Sequence, residues 1–144
     1  MLIGISPAIS PELLSIMYRM GHGDTLVLAD AHFPGESCNR RVLRADGVNV
    51  KALLEGILPL LALDSYVPAP LVMMEAAGGD TLDSAVEISY REVVNRFYPM
   101  TPPILHVARY EFYSRAETAF AVVMTGETAK YGNLLLTKGV TPIV

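Results

Sequence analysis

Apolar residues fall along the chain in two alternating rhythms. Leu13, Leu14, Met17 and Met20 recur at helical spacing behind Ser10-Pro11-Glu12, a hydroxyl cap, a proline at the first helical position and an acid. This predicts a first helix, with Gly21 as its C-terminal stop. Thr25 to Ala29 is then a short unbroken apolar run, the pattern of a strand covered on both faces. Asp46-Gly-Val-Asn49 introduces a second helix over about Val50 to Leu63, bent at Pro59. Leu71 to Ala76 reads as another buried strand. Asp80-Thr-Leu-Asp83 caps a third helix, where Val86, Tyr90, Val93, Val94 and Phe97 make one stripe. Beyond Pro99, Pro102 and Pro103 come a strand (Ile104–Tyr110), a short helix (Tyr113–Ala119), a strand (Phe120–Thr125) and a last strand (Asn133–Thr137).

Helices alternating with buried strands predict an α/β fold: a three-layer α/β/α domain with a mostly parallel or mixed central sheet. No internal repeat or linker divides the 144 residues, so one domain over 1–144 is expected.

Composition refines this picture. The lone Cys38 excludes an internal disulfide framework and favours a reducing, cytoplasmic setting. A formal charge of −4 and the absence of a basic patch argue against nucleic acid as partner. The Arg40-Arg41-x-x-Arg44 cluster reads as a solvated loop or helix face rather than a phosphate site. The opening MLIGISPAISPELL has no basic leader, and the longest apolar stretch, Ala52 to Leu63, is interrupted by Glu55 and Pro59, so no membrane span is expected. At 51% hydrophobic and only 18% charged, the chain has more apolar surface than a small monomer needs, which predicts a homo-oligomer.

Polar chemistry collects in three places. In MGHGDTLVLADAHFP, His22 follows the end of the first helix, where the partial negative charge of the helix C-terminus favours a protonated imidazole. Asp30 stands at the carboxyl end of the next strand, where open α/β sheets place ligand groups. His22, Asp24, Asp30 and His32 are also conceivable metal ligands, but lack the spacing of a structural zinc site, and no metal is expected. The second place is Arg109 near a strand end, followed by Tyr110, Phe112 and Tyr113, a mixture of guanidinium and aromatic faces suited to a sugar. The third is the turn Gly126–Asn133, where Tyr131 and Asn133 offer hydroxyl and amide groups and Gly132 allows close backbone approach. No nucleotide-binding glycine motif and no nucleophile elbow occurs.

Together the strings ISPELL, MGHGD, DAHFP, RADG, LDSY, LVMM, GDTLD, FYSRA, TGETAKYGN and LLLTKGVTP, in this order, resemble the L-fucose mutarotase family within the larger group that includes D-ribose pyranase. The resemblance implies a ribose pyranase-like fold and interconversion of sugar anomers without a cofactor. It implies that His22 donates the proton, and that Asp30, Arg109, Tyr131, Gly132 and Asn133 bind a monosaccharide, L-fucose-like because the ribose branch typically has histidine where Arg109 stands. For that chemistry Asp30 is expected to orient either the imidazole or a sugar hydroxyl; the resemblance further implies that the assembly is ring-like, a decamer of two stacked pentamers with sites near subunit boundaries. Three other readings remain open at this point: a non-catalytic sugar-binding accessory protein, a D-ribose pyranase-like activity, and a metal-dependent hydrolase or lyase.

Overall fold

A computed structural model describes residues 1–143. Its centre is a six-stranded sheet in the order β2-β5-β1-β6-β3-β4. The strands are β1 (Thr25–Ala29), β2 (Val42–Ala45), β3 (Leu71–Met74), β4 (Leu105–Val107), β5 (Ala121–Thr125) and β6 (Leu134–Thr137). Neighbours pair in parallel except around β6, which runs antiparallel to both β1 and β3. The mixed sheet is therefore the expected one. All strands but β6 point their carboxyl ends toward the same edge, and there β6 begins.

Because successive side chains on a strand face opposite ways, the apolar strands feed two separate cores. Leu26 and Leu28 of β1, with Leu71, Met73, Ala121, Val123, Leu134 and Leu136, pack under α1 (Pro11–Arg19), α3 (Val50–Ile57) and α4 (Ser84–Phe97). Val27, Ala29, Val72, Met74, Val122, Met124 and Leu135 face the other way, toward α2 (Gly35–Cys38) and α5 (Arg109–Thr118). Three layers result, the second thinner than the first.

Local chemistry accounts for most element ends. The Ser10 hydroxyl accepts from the Leu13 amide and starts α1; Asn49 and Asp83 cap α3 and α4 in the same way. Several expectations need correcting. Gly21 is not a left-handed stop: Met20 leaves the helix in an extended conformation, and it is Gly23, at φ 88°, that makes the turn. Pro59 does not bend α3, which ends two residues earlier at Ile57; the proline has no N–H to continue the ladder. Residues 42–45 form β2, an edge strand that the Arg40–Arg44 cluster disguised, since Arg44 points into solvent to pair with Asp46 at 2.7 Å. The strand expected over Ile104–Tyr110 stops at Val107, and α5 begins at Arg109. The short helix expected over Tyr113–Ala119 is the later part of α5, which starts four residues earlier and buries only Phe112 and Ala116. Among the described residues no helix is long and apolar enough to cross a membrane.

Candidate active site

The carboxyl ends of β1, β3 and β4 and the start of β6 are adjacent in the sheet, and the segments joined to them surround a cavity of about 360 Å³. Asp30 follows β1, Ala77 follows β3, Arg109 follows β4 and Asn133 precedes β6; His32, Phe33, Met74, Tyr113, Lys130 and Tyr131 complete the wall. This volume suits a small ligand. All five expected binding residues except Gly132, which lies in the same turn, line this space.

Asp30 is 3% exposed and almost fully engaged. Its backbone N–H donates to Asn133 Oδ1 at 2.7 Å, and its carboxylate accepts from the His32 and Gly132 amides at 2.9 and 3.1 Å. Burial raises its pKa above the ordinary carboxylate value despite these amides, making it a stronger base than an exposed aspartate. With Oδ1 of Asn133 committed to Asp30, the amide nitrogen of Asn133 is the group left for a ligand (an assignment set by the hydrogen-bond network). Gly132 is needed for a close approach within the protein: a Cβ there would meet the Ala129 carbonyl at 2.9 Å and Glu127 Cγ at 3.0 Å. Its carbonyl accepts from the buried Tyr90 hydroxyl at 2.7 Å, which anchors the turn to α4.

Tyr131 takes a left-handed conformation, φ 57°, and its hydroxyl donates to Asp80 at 2.8 Å while the Ala77 amide lies 3.3 Å away as a donor to it. The phenol therefore offers the cavity a lone pair more readily than its proton. Lys130 joins the same carboxylate at 2.9 Å, and Lys130 and Tyr131 together hold Asp80 down to about 2. The Arg109 Nε donates to the Tyr113 hydroxyl at 3.0 Å, with the guanidinium over the Tyr113 and Tyr110 rings at 5.4 and 5.7 Å. Phe33 meets Tyr113 edge-on at 5.5 Å, which gives the cavity an aromatic side.

His22 does not line this cavity. It stands at the opposite edge of the sheet, beyond the amino end of β1, whose five residues separate it from Asp30 by roughly 15 Å or more. Asp30 therefore does not orient this imidazole within one chain; Asp64 does, with Oδ1 2.9 Å from His22 Nε2. The helix-end charge expected to support His22 is engaged elsewhere. The Lys138 ammonium donates to the Met17 and Met20 carbonyls at 2.9 and 2.6 Å, satisfying the carbonyls at the end of α1. The four conceivable metal ligands are split as well, His22 and Asp24 at one edge and Asp30 and His32 at the other, and among the described residues no three His, Cys, Asp or Glu side chains converge. His106 pairs with Glu87 at 3.2 Å on the edge strand, away from the cavity. Sequence reasoning missed Asp64, Asp80 and Tyr90; LDSY and GDTLD were legible as strings, but nothing local showed which distant side chains they would meet.

Residues 3–141 match the model of the RbsD / FucU transport protein family. The chain belongs to that family. Relatives in it include the L-fucose mutarotase of Actinobacillus pleuropneumoniae serotype 5b, 57% identical over 99% of both chains, and that of Haemophilus influenzae strain 86-028NP, 53% identical over the whole of both. Among solved RbsD/FucU structures, the fucose mutarotase of Streptococcus pneumoniae in complex with L-fucose superposes with a TM-score of 0.92 at 41% identity, covering 98% of this chain and 100% of that one. RbsD of Bacillus subtilis, complexed with D-ribose, aligns over 99% of this chain and 100% of that one with a TM-score of 0.71 at 19% identity, a likeness of fold alone.

Proposed function

We propose that the chain, acting as one domain over residues 1–144, is an L-fucose mutarotase that interconverts the α and β anomers through the open-chain aldehyde. The observation that carries this reading is the convergence of Asp30, Arg109, Tyr131 and Asn133 on one cavity of monosaccharide size, in a chain alike from end to end to L-fucose mutarotases. Ring opening needs a proton on the ring oxygen as the anomeric hydroxyl loses one; closure on the other face of the carbonyl reverses both. This is general acid–base chemistry and requires no redox group. Asp30, the buried carboxylate with raised proton affinity, takes the hydroxyl proton. Arg109 and the Asn133 amide donate to sugar hydroxyls, Tyr131 and the Gly132 backbone shape the cradle, and the aromatic side of the cavity accepts the apolar face of the ring. His22 is the proton donor.

Since His22 and the cavity lie at opposite edges of one sheet, the His22 that serves a given cavity comes from a second copy of the chain. We accordingly read the protein as a cytoplasmic homo-oligomer, a decamer of two stacked pentamers in the form the family resemblance implies. Exposed apolar residues such as Met1, Ile3, Tyr18 and Met100 support burial against further copies.

Magnetisation exchange between the anomeric protons of L-fucose tests both parts. The wild-type protein accelerates exchange. At fucose concentrations below half-saturation, assemblies of His22→Ala or Arg109→Ala alone are slow, whereas subunit exchange between the two impaired variants restores a fraction of the activity, because some sites then combine an intact histidine with an intact cavity. No acceleration by the wild type overturns the reaction; an exchanging wild type whose mixed variants never recover overturns the shared site. Saturable fucose binding without exchange would favour the accessory-protein reading instead.

A further inference from the structure

The partner of His22 is more informative than a surface ion pair. The imidazole is half exposed, but the Asp64 side chain is only 1% exposed. Burial alone would push its carboxyl up; the His22 hydrogen bond and the Tyr66 and Val67 amides outweigh that and hold it below the ordinary range, so it is ionised at neutral pH. Oδ1 faces His22 Nε2 at 2.9 Å, and Oδ2 accepts from the Val67 amide at 3.1 Å. An ionised carboxylate has no proton to give, so the hydrogen in the Nε2 contact belongs to the histidine. The other charged or aromatic groups around this turn are already engaged: Asp24 Oδ2 accepts from the Gly21 amide at 2.7 Å, Lys138 is bound to the end of α1, and the Tyr66 ring lies 5.2 Å from the imidazole with its face tilted 55°. None of these contacts uses Nδ1.

The geometry points to Asp64 as a positioning residue for the reaction: it fixes the proton on His22 Nε2, so that Nδ1 is the atom that exchanges a proton with the sugar. This rests on the mutarotase reading and adds the atom and the residue that selects it. In ring opening the Nδ1–H bond breaks as the ring oxygen gains that hydrogen. The electron pair of the bond between C1 and the ring oxygen passes to that oxygen, while the anomeric hydroxyl gives up its own proton to the pocket carboxylate and C1 becomes the aldehyde carbon. The neutral imidazole left behind keeps its Nε2 proton against Asp64 and presents the Nδ1 lone pair, ready to retrieve the proton on closure.

Asp64→Asn discriminates this role from a structural one. The Val67 amide needs an acceptor, so the asparagine oxygen stays on that side and its NH₂ faces Nε2. The imidazole must then accept at Nε2 and carry its proton on Nδ1, the wrong tautomer. We expect exchange at saturating L-fucose to fall on the order of a hundredfold with little change in the concentration giving half-saturation, and Asp64→Glu to recover part of the loss. In the full wild-type assembly, ¹⁵N spectra of neutral His22 show Nε2 protonated and Nδ1 bare. A neutral wild-type His22 protonated at Nδ1 overturns the assignment, as does an Asp64→Asn protein that exchanges fucose at the wild-type rate. The nitrogen spectra decide the matter even if the variant does not fold. A wild type that fails to exchange fucose refutes the mutarotase reading while leaving the tautomer measurable.

Discussion

The two edges of the central sheet are built on opposite plans. At the edge where five strands end, a single buried carboxylate, Asp30, is surrounded by backbone amides and by polar side chains from three separate segments, and the result is concave. At the other edge a carboxylate of similar burial, Asp64, spends one oxygen on the backbone and the other on one half-exposed imidazole. The first arrangement raises the aspartate's pKa and the second lowers it, because burial outweighs the amides and the His32 charge at Asp30, whereas the His22 hydrogen bond and the Tyr66 and Val67 amides outweigh burial at Asp64. On the proposed mechanism the lesson is one of division of labour: one edge receives a ligand and offers a base, while the other presents an acid outward, to be used by a neighbouring copy.

The sharpest way to break this comparison is to remove one edge at a time. His22→Ala is expected to slow anomer exchange by ~10²–10⁴-fold while fucose still binds, whereas Arg109→Ala weakens binding by roughly tenfold to a hundredfold with a smaller loss of rate at saturation. Titration calorimetry beside the exchange measurement separates them; equal losses of binding in both variants would mean that the edges are not functionally distinct. Tyr90→Phe probes the cavity side alone. It leaves the Gly132 carbonyl without its buried donor and costs about 1–2 kcal/mol in denaturant unfolding, with weaker fucose binding as the turn loosens. A variant of unchanged stability would show that the turn does not depend on α4.

The smallest effect concerns acid. Asp80 is held at about 2, below the ordinary 3.8, by Lys130 and Tyr131. A carboxyl with a depressed folded pKa stabilises above its unfolded value and loses that contribution as pH falls through its folded one. The contact between the 75–83 loop and Tyr131 is therefore intact above about pH 4 and released as pH drops toward 2, and Asp80→Asn removes this dependence. Fluorescence of bound and free protein across that range checks it; identical acid transitions in wild type and variant would remove Asp80 from the account.

How much of this was legible beforehand differs by element. β1, β3, β5, α1 and α4 announced themselves because short unbroken apolar runs, side-chain caps and a stripe at helical spacing are local signals, written in consecutive residues. β2 and α2 did not, since an edge strand with arginines and a single turn of four residues carry almost no periodic signal, and of α5 only the part from Tyr113 onward was legible. The cavity residues were found through residue type, glycine placement and family strings, so Asp30, Arg109, Tyr131, Gly132 and Asn133 emerged together. What no string could state was that β6 enters the sheet antiparallel between β1 and β3. That pairing brings Asn133 to Asp30 across 103 positions and carries Lys138 to the far edge, where it engages the end of α1. The amino-acid order thus determined the elements, the two-sided core and the chemistry on offer, because those depend on near neighbours and on burial. Only the tertiary structure decided which carboxylate faces which partner, and that His22 and the cavity stand back to back, because strand direction and long-range register are set by the packing of the whole sheet.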